Sequence, residues 1–430
     1  MRALVEHAHA DAQAIARALR SEGAEVVLGE PADLDLQLPA HDAYYADPWT
    51  PEVAARIRES RRRGVATSSI GDVLLRRSDV PVIGVTGTAG KTVTTALVCA
   101  LLRASDLPVI ASTTARAGNL WPSHDVLAAL AGARPPAVVC VELTSTHLCY
   151  MAASPTVAVV TNLWPDHVEL HGSLRRYRAA KRAILLHQRC DDWAVLNADD
   201  RGSASLRRSV AGRCVWASGS RPVRRGVGVE AGRLVARLGG RRDDLGAAPG
   251  GLLAANIACA CAAALVAGAD PARVRERWPA GVALPYRRAL LAAVDGACVV
   301  DDGMAATPAK AAAGLCELPP RSTVAIVGGH RRLEGALVHA SGPEREQLER
   351  FCTLLATLRH VVCFGDAGAE LARRLPNASC VADLAAAWTS ARDQAAPGVT
   401  ISLAPGYPLT LAERRAFAGY VSSGAIDATE

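Results

Sequence analysis

Three lysines stand out in a 430-residue chain that otherwise uses arginine for its basic side chains. Lysine and arginine together number 48, and only Lys91, Lys181 and Lys310 are lysine. Arginine serves as a surface cation, but it does not lose its proton and is not a compact point charge. Each lysine is therefore a candidate for chemistry that arginine cannot do, although Lys310 has no assignable role.

Lys91 follows a glycine-containing turn that comes directly after an apolar stretch of strand length. The turn contains Gly87, Thr88 and Gly90, and Thr92 follows the lysine. Backbone N–H groups in such a turn bind phosphate oxygens, the lysine reaches the terminal phosphates, and the threonine hydroxyl contacts Mg²⁺. The leading glycine departs from the usual phosphate-loop spacing, so a plain strand–turn–helix is the alternative.

Two more apolar stretches end in polar side chains. Glu142 closes the first, and Asn162 follows the second, shortly before Asp166 and His167. Carboxyl ends of parallel strands form the ligand edge of an α/β sheet. Neutral imidazole can bind a metal and an adjacent carboxylate can orient it. The alternatives are a carboxylate that caps a neighbouring helix and a structural histidine.

Lys181 lies in a predicted helix among arginines at positions 175, 176, 178 and 182. If only positive charge were needed, arginine would be expected there too. A lysine near Mg²⁺ can lose a proton and take up CO₂, which yields a carbamate that ligates the metal. The alternative is a surface lysine.

Alternating strand and helix patterns predict an α/β protein of three domains. We expect a Rossmann-like N-terminal domain over 1–79, a central ATPase-type parallel sheet over 80–284 and a Rossmann-like C-terminal domain over 285–430. The apolar stretch Gly250–Ala269 is rich in alanine and predicts a buried helix rather than a membrane span. Twelve scattered cysteines without a C-x-x-C pair indicate reduced thiols and a cytoplasmic location. The arginine runs lack interleaved aromatics, so we expect no nucleic-acid partner.

Taken together, these motifs resemble the Mur ligase family, whose members are ATP-dependent amide ligases. The resemblance covers the phosphate loop, Glu142, the Asn-x-x-Asp-His segment that ends at His167, and Lys181. It extends to Asn256 at the adenine site, to Arg287 at the start of the last domain and to Asp302 on the nucleotide side. Segments 117–122 and 142–148 most resemble the members that add D-glutamate.

The resemblance implies a reaction in which a carboxylate is activated as an acyl phosphate and joined to an amino acid. The expected pair is UDP-N-acetylmuramoyl-L-alanine and D-glutamate, in peptidoglycan precursor synthesis. It implies ATP and two Mg²⁺ ions, held by Thr92, Glu142, His167 and carbamylated Lys181, with Asn162 near the phosphate. A monomer that acts on small molecules, away from membranes, is expected.

Several segments depart from the family pattern. The N-terminal uridine-binding glycine loop of the family is missing at positions 7–12, and Met304 stands where a lysine is usual. The segment 403–409 stands where the family has a Ser-Pro-rich segment that helps hold D-glutamate, and its sequence differs from that segment. Two other hypotheses therefore stay open: a Mur-type ligase recruited to a different acid and amine, and a nucleotide-binding homologue without catalysis. A phosphotransferase is a further possibility.

Overall fold

A computed structural model describes residues 1–6, 12–29, 41–46, 51–112, 122–130, 132–333, 336–337 and 342–426. The described chain forms two compact units, and the first comprises residues 1–164 and 170–282. The second comprises residues 165–169 and 283–430. Three large sheets flanked by helices confirm the predicted α/β class. The segment 117–121, on which part of the family resemblance rests, lies outside the described residues.

The first sheet is parallel, with strand order β2-β1-β3-β4. Helices α1 and α3 cover one face through Ile15 and Val73, and α2 covers the other through Ile57. Its elements are β1 (Arg2–Glu6), α1 (Ala12–Arg20), β2 (Glu25–Gly29), β3 (Ala43–Tyr45), α2 (Pro51–Arg62), β4 (Ala66–Ser68) and α3 (Ile70–Arg77).

The second sheet has nine strands in the order β13-β12-β11-β10-β9-β8-β5-β7-β6. Seven strands are parallel, and the antiparallel strands β12 and β13 extend the edge. Its strands are β5 (Val82–Thr86), β6 (Val109–Ile110), β7 (Val138–Glu142), β8 (Val157–Val160), β9 (Trp193–Asn197), β10 (Arg213–Ala217), β11 (Gly226–Glu230), β12 (Arg233–Leu238) and β13 (Arg241–Ala247). The continuous apolar runs of β5, β7 and β8 are fully buried, as expected for parallel strands covered on both faces.

Helices pack on both faces of this second sheet. Helices α4 and α10 contribute to the core on one face, and α8 contributes to the other through Ile184 and Leu185. The helices are α4 (Lys91–Ala104), α5 (His124–Leu130), α6 (Ser145–Leu148), α7 (Val168–His171), α8 (Leu174–Leu186), α9 (Arg201–Ser205), α10 (Leu252–Val266) and α11 (Pro271–Arg277). Residues 258–264 of α10 have no exposed surface, which confirms the expected buried helix. Among the described residues, no helix has the length and apolar character needed to cross a membrane.

The third sheet, in the second unit, has strand order β14-β15-β21-β16-β19-β20, and only β14 is antiparallel. Trp388 and Phe417 pack on one face, and Phe351 and Leu371 pack on the other. The strands are β14 (Ala289–Leu290), β15 (Cys298–Asp301), β16 (Thr323–Gly328), the separate hairpin β17 (Arg332–Leu333) and β18 (Ala336–Leu337), β19 (His360–Phe364), β20 (Ala378–Val381) and β21 (Thr400–Gly406). The helices are α12 (Pro308–Leu315), α13 (Gly342–Leu355), α14 (Gly365–Ala372), α15 (Leu384–Arg392) and α16 (Leu411–Ile426).

Candidate active site

The loop between β5 and α4 is compact because two glycines allow close contacts. Gly87 has φ +154° and Gly90 has φ +81°. A Cβ on Gly87 would lie 1.9 Å from Thr161 Oγ1, and one on Gly90 would lie 2.5 Å from Asn256 Oδ1. The loop therefore has no room for a side chain at either position. The second contact places Asn256, predicted from the sequence as a nucleotide residue, directly against the loop.

Asn162, which follows β8, holds this loop in place through side-chain hydrogen bonds. Its Oδ1 accepts hydrogen bonds from the backbone N–H groups of Thr88, at 3.1 Å, and Ala89, at 2.8 Å. Its Nδ2 donates to the Ala89 carbonyl at 3.1 Å, and Thr161 Oγ1 donates to the same carbonyl at 2.7 Å. Two amides that we expected to face phosphate are thus bonded to Asn162 in this conformation.

Lys91 is the first residue of α4, and its ammonium group turns back over the loop. Lys91 Nζ donates to the carbonyl oxygens of Gly87, at 3.1 Å, and Thr88, at 3.4 Å. Gly90 is the N-cap residue of this 14-residue helix. The arrangement combines a cation with the positive end of a helix dipole, which favours an anionic ligand.

A threonine and a glutamate form the buried centre behind the loop. Thr92 Oγ1 donates to Glu142 Oε2 at 2.5 Å, and the two residues are 3% and 1% exposed. Helix α6 is capped by Thr144, whose hydroxyl accepts from the backbone N–H of His147 at 3.2 Å. Thr144 thus fills the helix-capping role that was the alternative for Glu142.

Lys181 is 2% exposed, so the surface-lysine alternative is wrong. Its Nζ donates to the Gly87 carbonyl at 2.9 Å and to Thr86 Oγ1 at 3.3 Å. The Nζ also lies 5.1 Å from the centroid of the Tyr177 ring. Helix α8 thereby places a buried amine at the start of the loop between β5 and α4.

The hydroxyl and carboxylate oxygens at this centre suit a hard cation. Mg²⁺ prefers oxygen ligands, and Thr92 and Glu142 supply a hydroxyl and a carboxylate side by side. Among the described residues, no three histidine, cysteine, aspartate or glutamate side chains cluster in a way that could hold a metal. The first unit therefore offers a partial ligand set, and the predicted carbamate on Lys181 would supply a further anionic oxygen.

Sequence reasoning did not identify two residues that shape the loop. Tyr177 shares a 2.8 Å hydrogen bond with Thr88 Oγ1, and Thr161 contacts the loop as described above. Tyr177 precedes Lys181 by one helical turn, a spacing that places both side chains on one helix face. That periodicity was the available signal for Tyr177, whereas Thr161 was marked only by its position at a strand end.

The segment 165–169 belongs to the second unit and carries Asp166 and His167. Asp166 Oδ1 accepts from the backbone N–H of His167 at 3.0 Å, and Asp166 Oδ2 lies 3.7 Å from His167 Nε2. Lys310 Nζ donates to Asp166 Oδ2 at 2.9 Å, with side-chain exposures of 21% and 5%. The third lysine therefore forms an ion pair with the carboxylate next to the predicted metal ligand.

Arg287 and Asp302 are the remaining predicted residues, and both belong to the second unit. Arg287 stands between Tyr286 and Arg288, two non-glycine residues with φ of +61° and +52°. Burial raises the pKa of Asp302 to about 6, and the Arg288 charge opposes that rise. A Cβ on Gly314 would lie 2.7 Å from Asp302 Oδ2, so this carboxylate packs against α12.

The structure brings together one large group of the predicted residues in the first unit. This group consists of Gly87, Thr88, Gly90, Lys91, Thr92, Glu142, Asn162, Lys181 and Asn256. The three other predicted residues, His167, Arg287 and Asp302, lie in the second unit.

Comparison with known proteins identifies relatives that match most of the chain. Residues 85–221 match the model of the Mur ligase middle domain. The chain is 32% identical to UDP-N-acetylmuramoylalanine–D-glutamate ligase of Rubrobacter xylanophilus over 95% of this chain and 88% of the relative. It is also 32% identical to the ligase of the same name from Symbiobacterium thermophilum, over 85% of this chain and 79% of the relative.

Solved structures share the fold at low sequence identity. A pseudomurein peptide ligase type C from Methanothermus fervidus has a TM-score of 0.63 and 16% identity, with coverage of 98% of this chain and 99% of that chain. MurF ligase from Thermotoga maritima in complex with ADP has a TM-score of 0.60 and 19% identity, with coverage of 89% and 95%. Together with the relatives that match along most of its length, these similarities show that the chain belongs to the Mur ligase family.

Proposed function

We propose that this chain is an ATP-dependent ligase that joins D-glutamate to UDP-N-acetylmuramoyl-L-alanine in peptidoglycan precursor synthesis. The observation that carries the proposal is the buried set Thr92, Glu142 and Lys181 behind a loop that contains Lys91. The named D-glutamate ligases that match most of the chain support the choice of substrates. We further propose a cytoplasmic monomer with domains over 1–79, 80–284 and 285–430.

The proposed reaction has two steps. An acceptor carboxylate oxygen forms a bond to the γ-phosphorus of ATP, the β–γ bridging P–O bond breaks, and ADP leaves. The amine nitrogen then attacks the carbonyl carbon of the acyl phosphate, phosphate departs, and the amine loses a proton. Such chemistry depends mainly on positioning and on neutralising charge.

Residues of the first unit supply the phosphate-binding part of this mechanism. Lys91 and the amides at the start of α4 bind the β- and γ-phosphates, and Gly87 and Gly90 let the loop pack closely against Thr161 and Asn256. Asn162 holds the loop through the Thr88 and Ala89 amides, and nucleotide binding would exchange these bonds for phosphate contacts.

Thr92 and Glu142 would hold one Mg²⁺, and His167 with carbamylated Lys181 would hold a second. Bound Mg²⁺ would neutralise phosphate charge and polarise the γ-phosphoryl group. On Lys181, carbamylation forms an N–C bond between Nζ and CO₂ and releases a proton. Lys181 is buried and is therefore not a surface charge that only interacts with solvent. This position supports a chemical role for its amine.

Arg287, Asp302 and Asn256 complete the proposed assignments. Arg287 would bind the γ-phosphate, and Asp302 would face the nucleotide. Asn256 would contribute to the adenine site, a role supported by its contact with Gly90.

The experiment incubates the full chain with Mg²⁺, ATP, UDP-N-acetylmuramoyl-L-alanine and either D-glutamate, L-glutamate or other amino acids. Phosphate release and product mass are measured together, and hydroxylamine traps the acyl phosphate. An amide product with D-glutamate supports the proposal. Nucleotide binding without product from any amine contradicts it, and phosphate transfer to a hydroxyl group would indicate a phosphotransferase.

Lys181→Arg tests the carbamate. Arginine keeps the positive charge but cannot form a stable carbamate, so turnover should be lost while an ATP analogue still binds. Arg182→Met is the matched control, because Arg182 is the exposed neighbour on the same helix. Full activity of Lys181→Arg would exclude the carbamate role.

One observation favours a second candidate, a Mur-type ligase with a different carboxylate substrate. Glu6 ends β1 at the carboxyl edge of the first sheet and is 5% exposed. Tyr44 Oη donates to Glu6 Oε2 at 2.6 Å, and Arg56 Nη1 lies 3.5 Å from Glu6 Oε1. A buried carboxylate at this edge disfavours a diphosphate there. Acceptors with and without the nucleotide, compared in the same assay, distinguish the two candidates.

A further inference from the structure

Two cysteines lie opposite each other on neighbouring strands of the third sheet. In the parallel pair β19 and β20, Cys363 stands directly opposite Cys380. Neighbouring strands lie about 4.8 Å apart, and the Cα atoms of a disulfide are usually about 4.4–6.8 Å apart. The register of the two strands therefore places both backbone positions within the range that a disulfide spans.

The side chains of both cysteines lie on the same face of the sheet. Val361 and Cys363 belong to the buried core that α13 and α14 form on this face, and Ala378 of β20 packs against that core. Side chains two positions apart on a strand share a face, so Cys380 lies on the face of Ala378. Cys363 and Cys380 therefore extend from their strands in the same direction.

The two thiols differ in their access to solvent. Cys380 is exposed on β20, which is the last strand of the sheet, whereas Cys363 has no exposed surface. Burial raises the pKa of Cys363 to about 12, and charges on the neighbouring Cys380 and Cys352 add to the rise. A small oxidant dissolved in water therefore meets Cys380 first, and Cys363 stays a protonated thiol until its neighbour has reacted.

The helices of this unit cover Cys363 closely. Cys352 of α13 belongs to the same buried core. A Cβ on Gly368 of α14 would lie 3.0 Å from the carbonyl carbon of Cys363 and 3.4 Å from its Cβ, so the glycine lets α14 pack directly on this position. Because the helices shield Cys363, we expect oxidation to reach it through Cys380 on the edge strand.

We propose that Cys363 and Cys380 form a reversible modification site at which a hydroperoxide converts the two thiols into an intramolecular disulfide. Redox-sensitive cysteines are typically exposed and lie beside a second cysteine that resolves the oxidised form. The strand register supplies that second cysteine here. The inference concerns only the second unit and does not depend on the proposed ligase function.

The reaction takes two steps when the oxidant is hydrogen peroxide. The thiolate sulfur of Cys380 attacks one peroxide oxygen, the O–O bond breaks, and a sulfenic acid and water form. The Cys363 sulfur then attacks the Cys380 sulfur, the S–O bond breaks, and the hydroxyl group leaves as water with the Cys363 proton. The thiol pair loses two electrons, which reduce the peroxide, and a thiol reductant reverses the change. Because the thiols are adjacent, the second step is intramolecular, which offsets the low thiolate fraction of Cys363.

The test treats the reduced full chain with hydrogen peroxide, alkylates the remaining thiols and maps linked peptides by mass spectrometry. A parallel reaction contains dimedone, which traps sulfenic acids. Wild type is compared with Cys363→Ala, Cys380→Ser and Cys352→Ala. Cys316→Ser is the matched control, because Cys316 is another exposed cysteine of the second unit. Thermal unfolding identifies any variant that does not fold.

We expect wild type to yield peptides linked through Cys363 and Cys380, which dithiothreitol separates. In Cys363→Ala, dimedone labelling of Cys380 should rise by about tenfold or more, because the sulfenic acid no longer closes into a disulfide. In Cys380→Ser, Cys363 should stay reduced. Cys352→Ala and Cys316→Ser should form the same disulfide as wild type.

The wild-type reaction alone can overturn the proposal, whether or not a variant folds. It would do so if Cys380 were oxidised without a link to Cys363, or if Cys316 were oxidised while both cysteines stayed reduced. A disulfide from Cys380 to Cys352 or to a second copy of the chain would also overturn it, as would equally fast oxidation of Cys363 in Cys380→Ser and wild type. Amide formation is not a readout here, so the ligase proposal is judged separately.

Discussion

Replacing Thr92 with valine removes one hydroxyl from the buried centre of the first unit and leaves its shape nearly unchanged. Thr92 is 3% exposed and donates to Glu142 Oε2 at 2.5 Å. A hydrogen bond to a charged group contributes about 1.5–3 kcal/mol. Because Glu142 is 1% exposed, water does not replace the lost donor easily, and we expect Thr92→Val to destabilise the protein by that amount.

The assay measures urea unfolding of wild type, Thr92→Val and Thr92→Ser without Mg²⁺. Serine keeps the hydroxyl and loses only a methyl group, so Thr92→Ser should retain most of the stability that Thr92→Val loses. A second measurement titrates Mg²⁺ into each protein with a non-hydrolysable ATP analogue and follows thermal stabilisation. We expect Thr92→Val to need about tenfold more Mg²⁺ for half-maximal stabilisation, since one proposed ligand is missing.

The two measurements refute different parts of the reasoning. Equal urea stability of Thr92→Val and wild type, within about 0.5 kcal/mol, would show that the hydrogen bond to Glu142 does not stabilise the fold. An unchanged Mg²⁺ requirement in Thr92→Val would show that the hydroxyl is not a metal ligand, even if the fold is weakened.

Three further substitutions test other parts of the molecule. Gly87→Ala should abolish binding of the ATP analogue in a calorimetric titration, because its Cβ would lie 1.9 Å from Thr161 Oγ1, and Gly87→Ala with retained affinity would contradict the loop geometry. Lys310→Met should lower the free energy of unfolding in urea by about 1–3 kcal/mol, because it leaves the carboxylate of Asp166, which is 5% exposed, without its ion-pair partner. The double variant Lys310→Met with Asp166→Asn should recover most of the loss. An unchanged free energy of unfolding in Lys310→Met would show that the ion pair does not stabilise the fold. Burial raises the pKa of Asp301 to about 6, so the free energy of unfolding should fall as the pH rises from 4 to 7, because the carboxyl ionises more readily in the unfolded state. Asp301→Asn should reduce this dependence of the free energy of unfolding on pH. The same pH dependence in Asp301→Asn and wild type would contradict the raised pKa.

The chemistry at strand ends could be predicted because it is encoded locally. An apolar run followed by a polar residue indicates both a buried parallel strand and the edge at which it ends. This reasoning placed Glu142, Asn162 and the loop around Lys91 near one another, and the structure of the first unit agrees. The α/β class followed from the same alternation.

Contacts between residues distant in sequence could not be predicted from local patterns. Tyr177 reaches Thr88 across 89 positions, and Lys310 reaches Asp166 across 144 positions. No pattern in the arginine-rich segment around β12 and β13 predicted that these strands extend the sheet in antiparallel orientation. These features depend on how elements pack, which a strand-by-strand reading does not specify.

The spacing between α4 and α10 is set by very small side chains. Ala258, Cys259, Ala260 and the residues up to 264 have no exposed surface, and they belong to the same core as the apolar face of α4. Two residues before this stretch, Asn256 lies against Gly90. A larger side chain in the seam would push α10 outward, since packed interiors have little free volume. A larger side chain at one of these buried positions would therefore shift Asn256 and the loop that it contacts. Such a substitution would alter nucleotide affinity although the substituted residue does not contact the ligand.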